Sequence, residues 1–365
     1  MGRTWARWFV IYGSLAGASR ADEGTAYKLD AGPSVVESVD SMTLHDAKRD
    51  KEITVKVIYP SGDGPFPVIV FSHGFGAGKE AFGPISRHWA SHGYVCIHPQ
   101  HADARLRDRR PHVLNGRDAD DGPVDDTQKP APRRPDSDRA KFLERLRRGN
   151  FQAGGGAPEK IADRVRDVTA VIDALDQVEA LVPSLKGQLD RDRVGVGGHS
   201  YGACVSMLIG GATIEFQGET KGFADPRVKC VLPISAAGTG EYGLTKDSWK
   251  GLTKPALFIT GTRDVRPGHG VGWRREPFDS APPGDKFFLN IEGATHFHFG
   301  GGPAASNPGR FPGGGTLDRF TALVKTSTVA FWDGFLKDER DAKDFLGRDA
   351  GFNRYAGTRA RLSVR

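Results

Sequence analysis

Cysteine is scarce in this sequence, whose 365 residues include only Cys96, Cys204 and Cys230. Three thiols cannot build a disulfide framework, and all three lie in apolar runs, so we expect buried free thiols. Long apolar runs are also lacking, and none approaches the ~18 residues that a transmembrane helix needs. The 48 glycines follow no Gly-X-Y period, which excludes a collagen-like chain and indicates many loops.

Charge of one sign is not concentrated anywhere to the degree that a nucleic-acid partner requires. The 51 basic and 45 acidic residues are mixed along the chain, which argues against a dedicated nucleic-acid-binding protein. The 11 histidines include no H-E-x-x-H motif and no Cys–His zinc spacing, so we expect no metal. The glycine-rich stretch after residue 72 does not match a phosphate-binding loop, because Glu80 follows Lys79 where Ser or Thr is needed.

Strand-like and helix-like segments alternate from about residue 31. Continuous apolar runs at Pro67–Ser72 and Tyr94–His98 predict buried strands, and the alternation in Ile53–Tyr59 predicts a half-exposed strand. Apolar residues at helical spacing predict helices over Lys79–His92 and Lys160–Leu175. Further strand-like segments lie at 193–197, 228–233, 256–260 and 286–292, and an amphipathic stretch lies at 317–336. This order predicts an α/β protein with a mostly parallel central sheet flanked by helices.

Two segments do not fit the alternation. Residues 1–21 combine two arginines, a moderately apolar stretch and small residues, so we expect a signal peptide and a secreted or periplasmic protein. The alternative is an N-terminal tail on a cytoplasmic protein. A charged insertion at about 103–150 contains several prolines and cannot supply a sheet strand. It leaves the ligand-binding edge of the predicted sheet, so we expect a rim or lid, the alternative being a solvated loop.

Residues 198–202 are Gly-His-Ser-Tyr-Gly, the G-x-S-x-G pattern of a nucleophile elbow. A chance match is easy in a chain this rich in glycine, so the flanking segments decide. A predicted buried strand comes directly before the motif, and small apolar residues at 203–209 indicate a helix after it. Glycines on both sides suit a sharp strand-to-helix turn, where larger side chains would collide with the sheet or the helix. We therefore predict Ser200 as a nucleophile.

A serine hydroxyl needs an adjacent base, and the base needs an orienting acid. In elbow-type sites the acid and then the histidine follow the serine along the chain. Asp264 and His296 each come just after a predicted strand, so both should leave the sheet at the edge where Ser200 lies. We predict Asp264 as the acid and His296 as the base. The alternatives are Asp247, which no predicted strand precedes, and His298.

Acyl transfer also requires backbone N–H groups that meet the negative charge on the carbonyl oxygen. One donor should be Tyr201, which directly follows the predicted nucleophile. The second should come from the loop after Pro67–Ser72, and we predict Phe75, with Gly74 as the neighbouring alternative. The side chains of Phe75 and Tyr201 would then flank the acyl group.

Five stretches in this order make the sequence resemble the α/β-hydrolases. The resemblance is strongest to the branch of dienelactone hydrolases, platelet-activating-factor acetylhydrolases and cutinase-like polyesterases. It covers about residues 50–340 of a domain that we place at 31–356. The stretches are VIVFSHGFGAG (68–78), HGYVCIHPQH (92–101), RVGVGGHSYGA (193–203), FITGTRD (258–264) and IEGATHFHF (291–299).

The resemblance implies a Ser200–Asp264–His296 triad with the amides of Phe75 and Tyr201 as oxyanion hole. It also implies no cofactor and a carboxylic ester as substrate, whether a small molecule, a lipid or a polymer. Ser200 departs from the dienelactone hydrolases, which use a cysteine nucleophile, and the charged insertion is longer than in compact cutinase-like members. An acyltransferase or peptidase with the same triad is the alternative, and a non-catalytic binding relative is a further one.

Overall fold

The computed structural model describes residues 24–104, 158–270, 272–299, 314–347 and 351–365. The predicted signal peptide and nearly all of the predicted charged insertion lie outside the described residues. Among the helices that are described, none combines the length and the apolar character needed to cross a membrane.

Nine of the described strands form one mixed sheet, and two form a separate hairpin. The sheet order is β1-β2-β4-β3-β5-β8-β9-β10-β11, and β6 pairs with β7. The strands are β1 (Val36–Asp46), β2 (Lys51–Pro60), β3 (Phe66–Ser72), β4 (Val95–Pro99), β5 (Leu189–His199), β6 (Thr213–Phe216), β7 (Glu219–Gly222), β8 (Val228–Ile234), β9 (Ala256–Gly261), β10 (Lys286–Ile291) and β11 (Ala360–Val364).

The six neighbouring strands from β4 to β10 run parallel, and antiparallel strands complete both edges. The prediction of a mostly parallel central sheet is therefore confirmed. The α-helices that accompany it are α1 (Gly83–Ser91), α2 (Pro158–Asp173), α3 (Leu175–Leu181), α4 (Tyr201–Gly210), α5 (Glu276–Ser280), α6 (Gly314–Leu336), α7 (Arg340–Leu346) and α8 (Gly351–Ala356).

The central strands are buried on both faces because helices cover each side of the sheet. Within β3, Val68 and Val70 point into one apolar cluster with α2 and α4, whereas Ile69 and Phe71 point into another with α1 and α6. This alternation follows from the two-residue period of a strand. The continuous apolar runs that predicted buried strands are the result of such two-sided packing.

Two features of the sheet differ from the prediction. Strand β2 is mostly buried rather than half-exposed, because it lies inside the sheet between β1 and β4 and packs on both faces. Strand β11 pairs with β10, so the sheet extends beyond residue 356, where we placed the end of the domain. Antiparallel edge strands give weak sequence signals because only part of their surface needs to be apolar.

The carboxyl ends of the parallel strands meet at one edge of the sheet. Ser72 at the end of β3 is in register with Gly198 of β5, and Gly261 at the end of β9 is in register with Ile291 of β10. Loops that leave these ends therefore start close together, as open α/β sheets require for a ligand site.

Candidate active site

Ser200 lies on the sharp turn between β5 and α4. Its backbone is strained, with φ of 58° and ψ of −111°, a conformation that a residue with a side chain rarely adopts. The turn is closed by glycines that have no room for a side chain. A Cβ on Gly198 would lie 2.1 Å from the carbonyl oxygen of Gly202, and one on Gly202 would lie 2.0 Å from that of Ser72. This strained turn holds the Ser200 hydroxyl at the carboxyl edge of the sheet.

The structure brings Ser200, His296 and Asp264 into hydrogen-bonding contact. Ser200 Oγ lies 2.9 Å from His296 Nε2, and His296 Nδ1 lies 3.1 Å from Asp264 Oδ1. Asp264 is in the loop after β9, and His296 is in a short 3₁₀ turn, His296–His298, after β10. The serine hydroxyl can donate to Nε2 only if Nδ1 carries the ring proton. The Nδ1–H group then donates a hydrogen bond to the Asp264 carboxylate. This arrangement can draw a proton from the hydroxyl.

The Asp264 carboxylate is fully buried and kept ionised by its neighbours. Burial alone would raise its pKa, but the hydrogen bond from His296 and the positive charge of Arg274 hold the pKa well below its ordinary value. Thr260 donates a further hydrogen bond to Asp264 Oδ2 at 3.0 Å. A buried carboxylate with several donors stays in one orientation, which fixes the ring of His296.

Arg274 is a site residue that the sequence did not indicate. It lies in a 3₁₀ turn, Trp273–Arg275, and its Nε lies 2.8 Å from Asp264 Oδ1. Its Nη1 donates to the carbonyl oxygens of Ser235 at 2.8 Å and Ala236 at 3.0 Å, just beyond β8. Nη2 also lies 3.1 Å from His296 Nδ1, but both nitrogens are donors there, so this contact is not a hydrogen bond. No local pattern marks this arginine, because its partners come from other strand ends.

The loop after β3 lies directly against the elbow. A Cβ on Gly74 would lie 3.7 Å from Ser200 Cβ, so the backbone of this loop borders Ser200. The rings of Phe75 and Tyr201 meet edge to face at 5.9 Å between centroids. The side chains of the two residues that we predict as oxyanion donors are thus in contact.

The alternative acid and base lie elsewhere. Asp247 is exposed and pairs with Lys250 at 2.9 Å on the surface. His298 lies in the same turn as His296, but its Nδ1 accepts a hydrogen bond from the backbone N–H of Thr295 at 3.0 Å. Its ring therefore caps the turn, and neither residue is part of the hydrogen-bonded chain at Ser200.

A second serine–histidine–aspartate arrangement lies behind the loop and was not predicted. Ser72 Oγ lies 2.9 Å from His101 Nε2, and His101 Nδ1 lies 3.1 Å from Asp167 Oδ2. All three side chains are buried, so a substrate cannot reach this serine. Burial lowers the pKa of His101 to about 4, which leaves the ring neutral at pH 7. The arrangement joins β3, the segment after β4 and α2 behind the loop.

Two exposed apolar side chains are sequence neighbours of Asp264 and His296. Val265 and Phe297 directly follow Asp264 and His296 in sequence, and both are large apolar residues exposed to more than half of their surface. Only two other large apolar side chains are this exposed in the part of the chain that the structure describes.

Metal ligands are not assembled here among the described residues, which contain no group of three or more His, Cys, Asp or Glu that could hold an ion. The three cysteines are free and buried, as predicted. Burial raises the pKa of the Cys96 and Cys204 thiols, so neither is an activated nucleophile.

Comparisons with known proteins agree with this fold. A model of the chlorophyllase family matches residues 27–114, which include the loop after β3 but not Ser200, Asp264 or His296. Platelet-activating factor acetylhydrolase of Bos taurus is 24% identical over 249 residues, which cover 64% of this chain and 48% of that protein. Bis(hydroxyethyl) terephthalate hydrolase of Streptomyces coelicolor is 28% identical over 166 residues, which cover 45% of this chain and 41% of that protein. The chain thus spans less than half the length of each of these curated relatives.

The nine-stranded sheet and these matches define the class: the chain has the α/β-hydrolase fold. Within that class it is similar to platelet-activating factor acetylhydrolase and bis(hydroxyethyl) terephthalate hydrolase, in line with the resemblance that the sequence predicted. Both relatives are named as hydrolases.

Proposed function

We propose that the protein is a serine hydrolase that cleaves carboxylic esters through an acyl-enzyme intermediate. The observation that carries the proposal is the continuous chain of contacts from Ser200 through His296 to Asp264, at 2.9 and 3.1 Å, on a strained strand-to-helix turn. This is the geometry in which a neutral imidazole can take the proton from a hydroxyl as it attacks a carbonyl carbon.

Each residue has one role in the proposed reaction. Ser200 Oγ attacks the ester carbonyl while His296 Nε2 accepts its proton, and Asp264 stabilises the imidazolium that forms. The amides of Phe75 and Tyr201 donate to the oxyanion of the tetrahedral intermediate. His296 then returns the proton to the departing alcohol, and a water molecule attacks the acyl-enzyme by the same route and releases the acid.

The substrate class follows from the chemistry of the site and the names of the relatives. An acetylhydrolase and a bis(hydroxyethyl) terephthalate hydrolase are both similar to this chain. The exposed Val265 and Phe297, which directly follow Asp264 and His296 in sequence, favour an ester with an apolar acyl or alcohol group. Small-molecule, lipid and polymer esters all meet this description. Secretion stays a prediction that rests on residues 1–21.

The proposal is tested with p-nitrophenyl acetate and butyrate. Ser200→Ala should lower kcat by a factor on the order of 10⁴ or more, because the nucleophile is removed. A fluorophosphonate probe should label the natural protein and fail to label this variant.

Ser206→Ala is the matched control for the test. Ser206 lies on the same helix, but its buried hydroxyl donates to the carbonyl oxygen of Ala203 at 2.8 Å, away from the site. It should keep most of the activity. Equal rates in Ser200→Ala and the natural protein would refute the proposal, and transfer of the acyl group to added alcohols or amines in place of water would favour an acyltransferase.

A further inference from the structure

The carbonyl oxygen of the peptide unit between Gly74 and Phe75 accepts three hydrogen bonds. The Gly74 oxygen receives hydrogen bonds from His73 Nδ1 at 2.8 Å, from the backbone N–H of Ala77 at 3.1 Å and from Arg164 Nη2 at 3.4 Å. In a trans peptide the carbonyl and the N–H point in opposite directions, so donors that fix the oxygen also fix the direction of the Phe75 N–H. That N–H is an oxyanion donor in the proposed function.

His73 can donate to this oxygen because its tautomer is set by a second contact. The backbone N–H of His101 donates to His73 Nε2 at 3.2 Å, so Nε2 is the acceptor and Nδ1 carries the proton. The ring is buried, and burial together with the charge of Arg164 lowers the pKa of His73 well below its ordinary value. The ring therefore stays neutral at pH 7 and keeps its single proton on the side of the Gly74 oxygen.

Arg164 and Asp103 hold the loop from both sides of Phe75. The guanidinium of Arg164 binds Asp103 through two contacts, Nε to Oδ1 at 2.8 Å and Nη2 to Oδ2 at 2.6 Å. Arg164 Nη1 donates to the His73 carbonyl oxygen before Phe75, and Asp103 Oδ2 accepts from the N–H of Gly76 after it, at 3.0 Å. A bidentate pair of this kind has a fixed geometry, so the loop backbone is fixed with it.

The same arginine also contacts the other proposed oxyanion donor. Its guanidinium carbon lies 4.7 Å from the centre of the Tyr201 ring, and its side chain is only 3% exposed. One buried cation is therefore in contact with the carbonyl groups before Phe75 and with the side chain of Tyr201. Arg164 is as buried as the core residues, so substrate does not contact it.

We propose that the Arg164–Asp103 ion pair, acting with His73, positions and polarises the Gly74–Phe75 peptide so that its N–H stabilises the oxyanion. A peptide whose carbonyl oxygen accepts hydrogen bonds, one of them from a cation, becomes a stronger donor at its N–H because hydrogen bonds in a chain polarise each other. The inference rests on the proposed function. Arg164 and Asp103 are positioning residues, since they act on the oxyanion only through the loop.

The test compares Arg164→Gln and Asp103→Asn with the natural protein on p-nitrophenyl butyrate. An oxyanion donor acts in the transition state, so kcat should fall by about 10- to 100-fold while KM changes by less than about 3-fold. Affinity for a trifluoromethyl ketone, which forms a tetrahedral oxyanion adduct with the serine, should fall by a similar factor. The double variant should lose little more than either single variant, because the two residues act as one unit.

Arg166→Gln is the matched control. Arg166 is on the same helix, but it is half-exposed and contacts Asp163 at 3.4 Å, away from the loop. It should leave kcat, KM and inhibitor affinity unchanged. If Arg164→Gln does not fold, as judged by circular dichroism and thermal unfolding, Asp103→Asn alone decides, because it keeps the shape of the side chain and removes only its charge.

Two results would overturn the inference. One is a folded Asp103→Asn variant with the natural kcat, and the other is a variant whose kcat falls while its affinity for the ketone is unchanged. Ser200→Ala in the same assay separates this failure from failure of the proposed function. If activity depends on Ser200 but not on the ion pair, only the positioning role is lost.

Discussion

The closest backbone approach at the elbow gives a sharp prediction for Gly202→Ala. The new Cβ would lie 2.0 Å from the carbonyl oxygen of Ser72, 2.6 Å from its carbonyl carbon and 2.9 Å from the oxygen of His73. All three atoms belong to the backbone, so no side-chain rotation can relieve the overlap. The shortest distance is about 1.4 Å below ordinary van der Waals contact at 3.4 Å. Helix α4 must therefore move away from β3, or the end of β3 must move.

Both movements disturb the proposed chemistry. Ser200 directly precedes α4, and the end of β3 leads into the loop that carries Phe75. A misplacement of about 1 Å at a catalytic group can lower the rate by about 100-fold. Overpacking a well-packed contact also destabilises a protein by about 1–3 kcal/mol. We expect kcat on p-nitrophenyl butyrate to fall by 100-fold or more, and the free energy of unfolding in urea to fall by about 3 kcal/mol.

Gly83→Ala is the matched control for this prediction. Gly83 also lies in the first turn of a helix, α1, and a Cβ there meets no atom within 4 Å. The same substitution should leave kcat and the free energy of unfolding nearly unchanged. If Gly202→Ala behaved like Gly83→Ala in both assays, the close contact between Gly202 of α4 and the end of β3 would be refuted.

Two further predictions concern buried charges. Arg274→Gln should lower kcat by about 10- to 100-fold and the free energy of unfolding by about 3 kcal/mol, because Asp264 loses a buried cationic partner. Steady-state kinetics measures the first effect and urea unfolding the second. A variant with the natural kcat would contradict the prediction. Burial would raise the pKa of Asp167, but the hydrogen bond from His101 and the charge of Lys51 outweigh it and lower the pKa to about 2, below the ordinary 3.8. The contribution of Asp167 to stability is therefore present above about pH 4 and lost as the pH falls towards 2. Asp167→Asn should make the loss of stability between pH 4 and 2 smaller by about 2 kcal/mol in urea unfolding at each pH, and an identical acid dependence in both proteins would contradict the assignment.

The strands were predictable from the sequence where burial on both faces demands a continuous apolar run. Pro67–Ser72 and Tyr94–His98 correspond to β3 and β4 within one residue at each end. Edge strands β1 and β11 were not predicted, because a strand with an exposed face or edge accepts polar residues. Helix α1 begins at Gly83, four residues after the predicted start, because residues 79–82 form turns that the periodicity does not distinguish from a helix.

The sequence by itself determined the positions of Ser200, Asp264 and His296, because each follows a buried strand and the carboxyl ends of parallel strands must meet at one edge. The spacing of the glycines indicated the nucleophile elbow, because the strained turn leaves no room for side chains at fixed positions. Only the tertiary structure decided that Arg274 contacts the acid and that Arg164 and Asp103 hold the loop of Phe75. These residues come from turns and a helix far apart in the chain, and their contacts depend on how the elements pack, which no local pattern records.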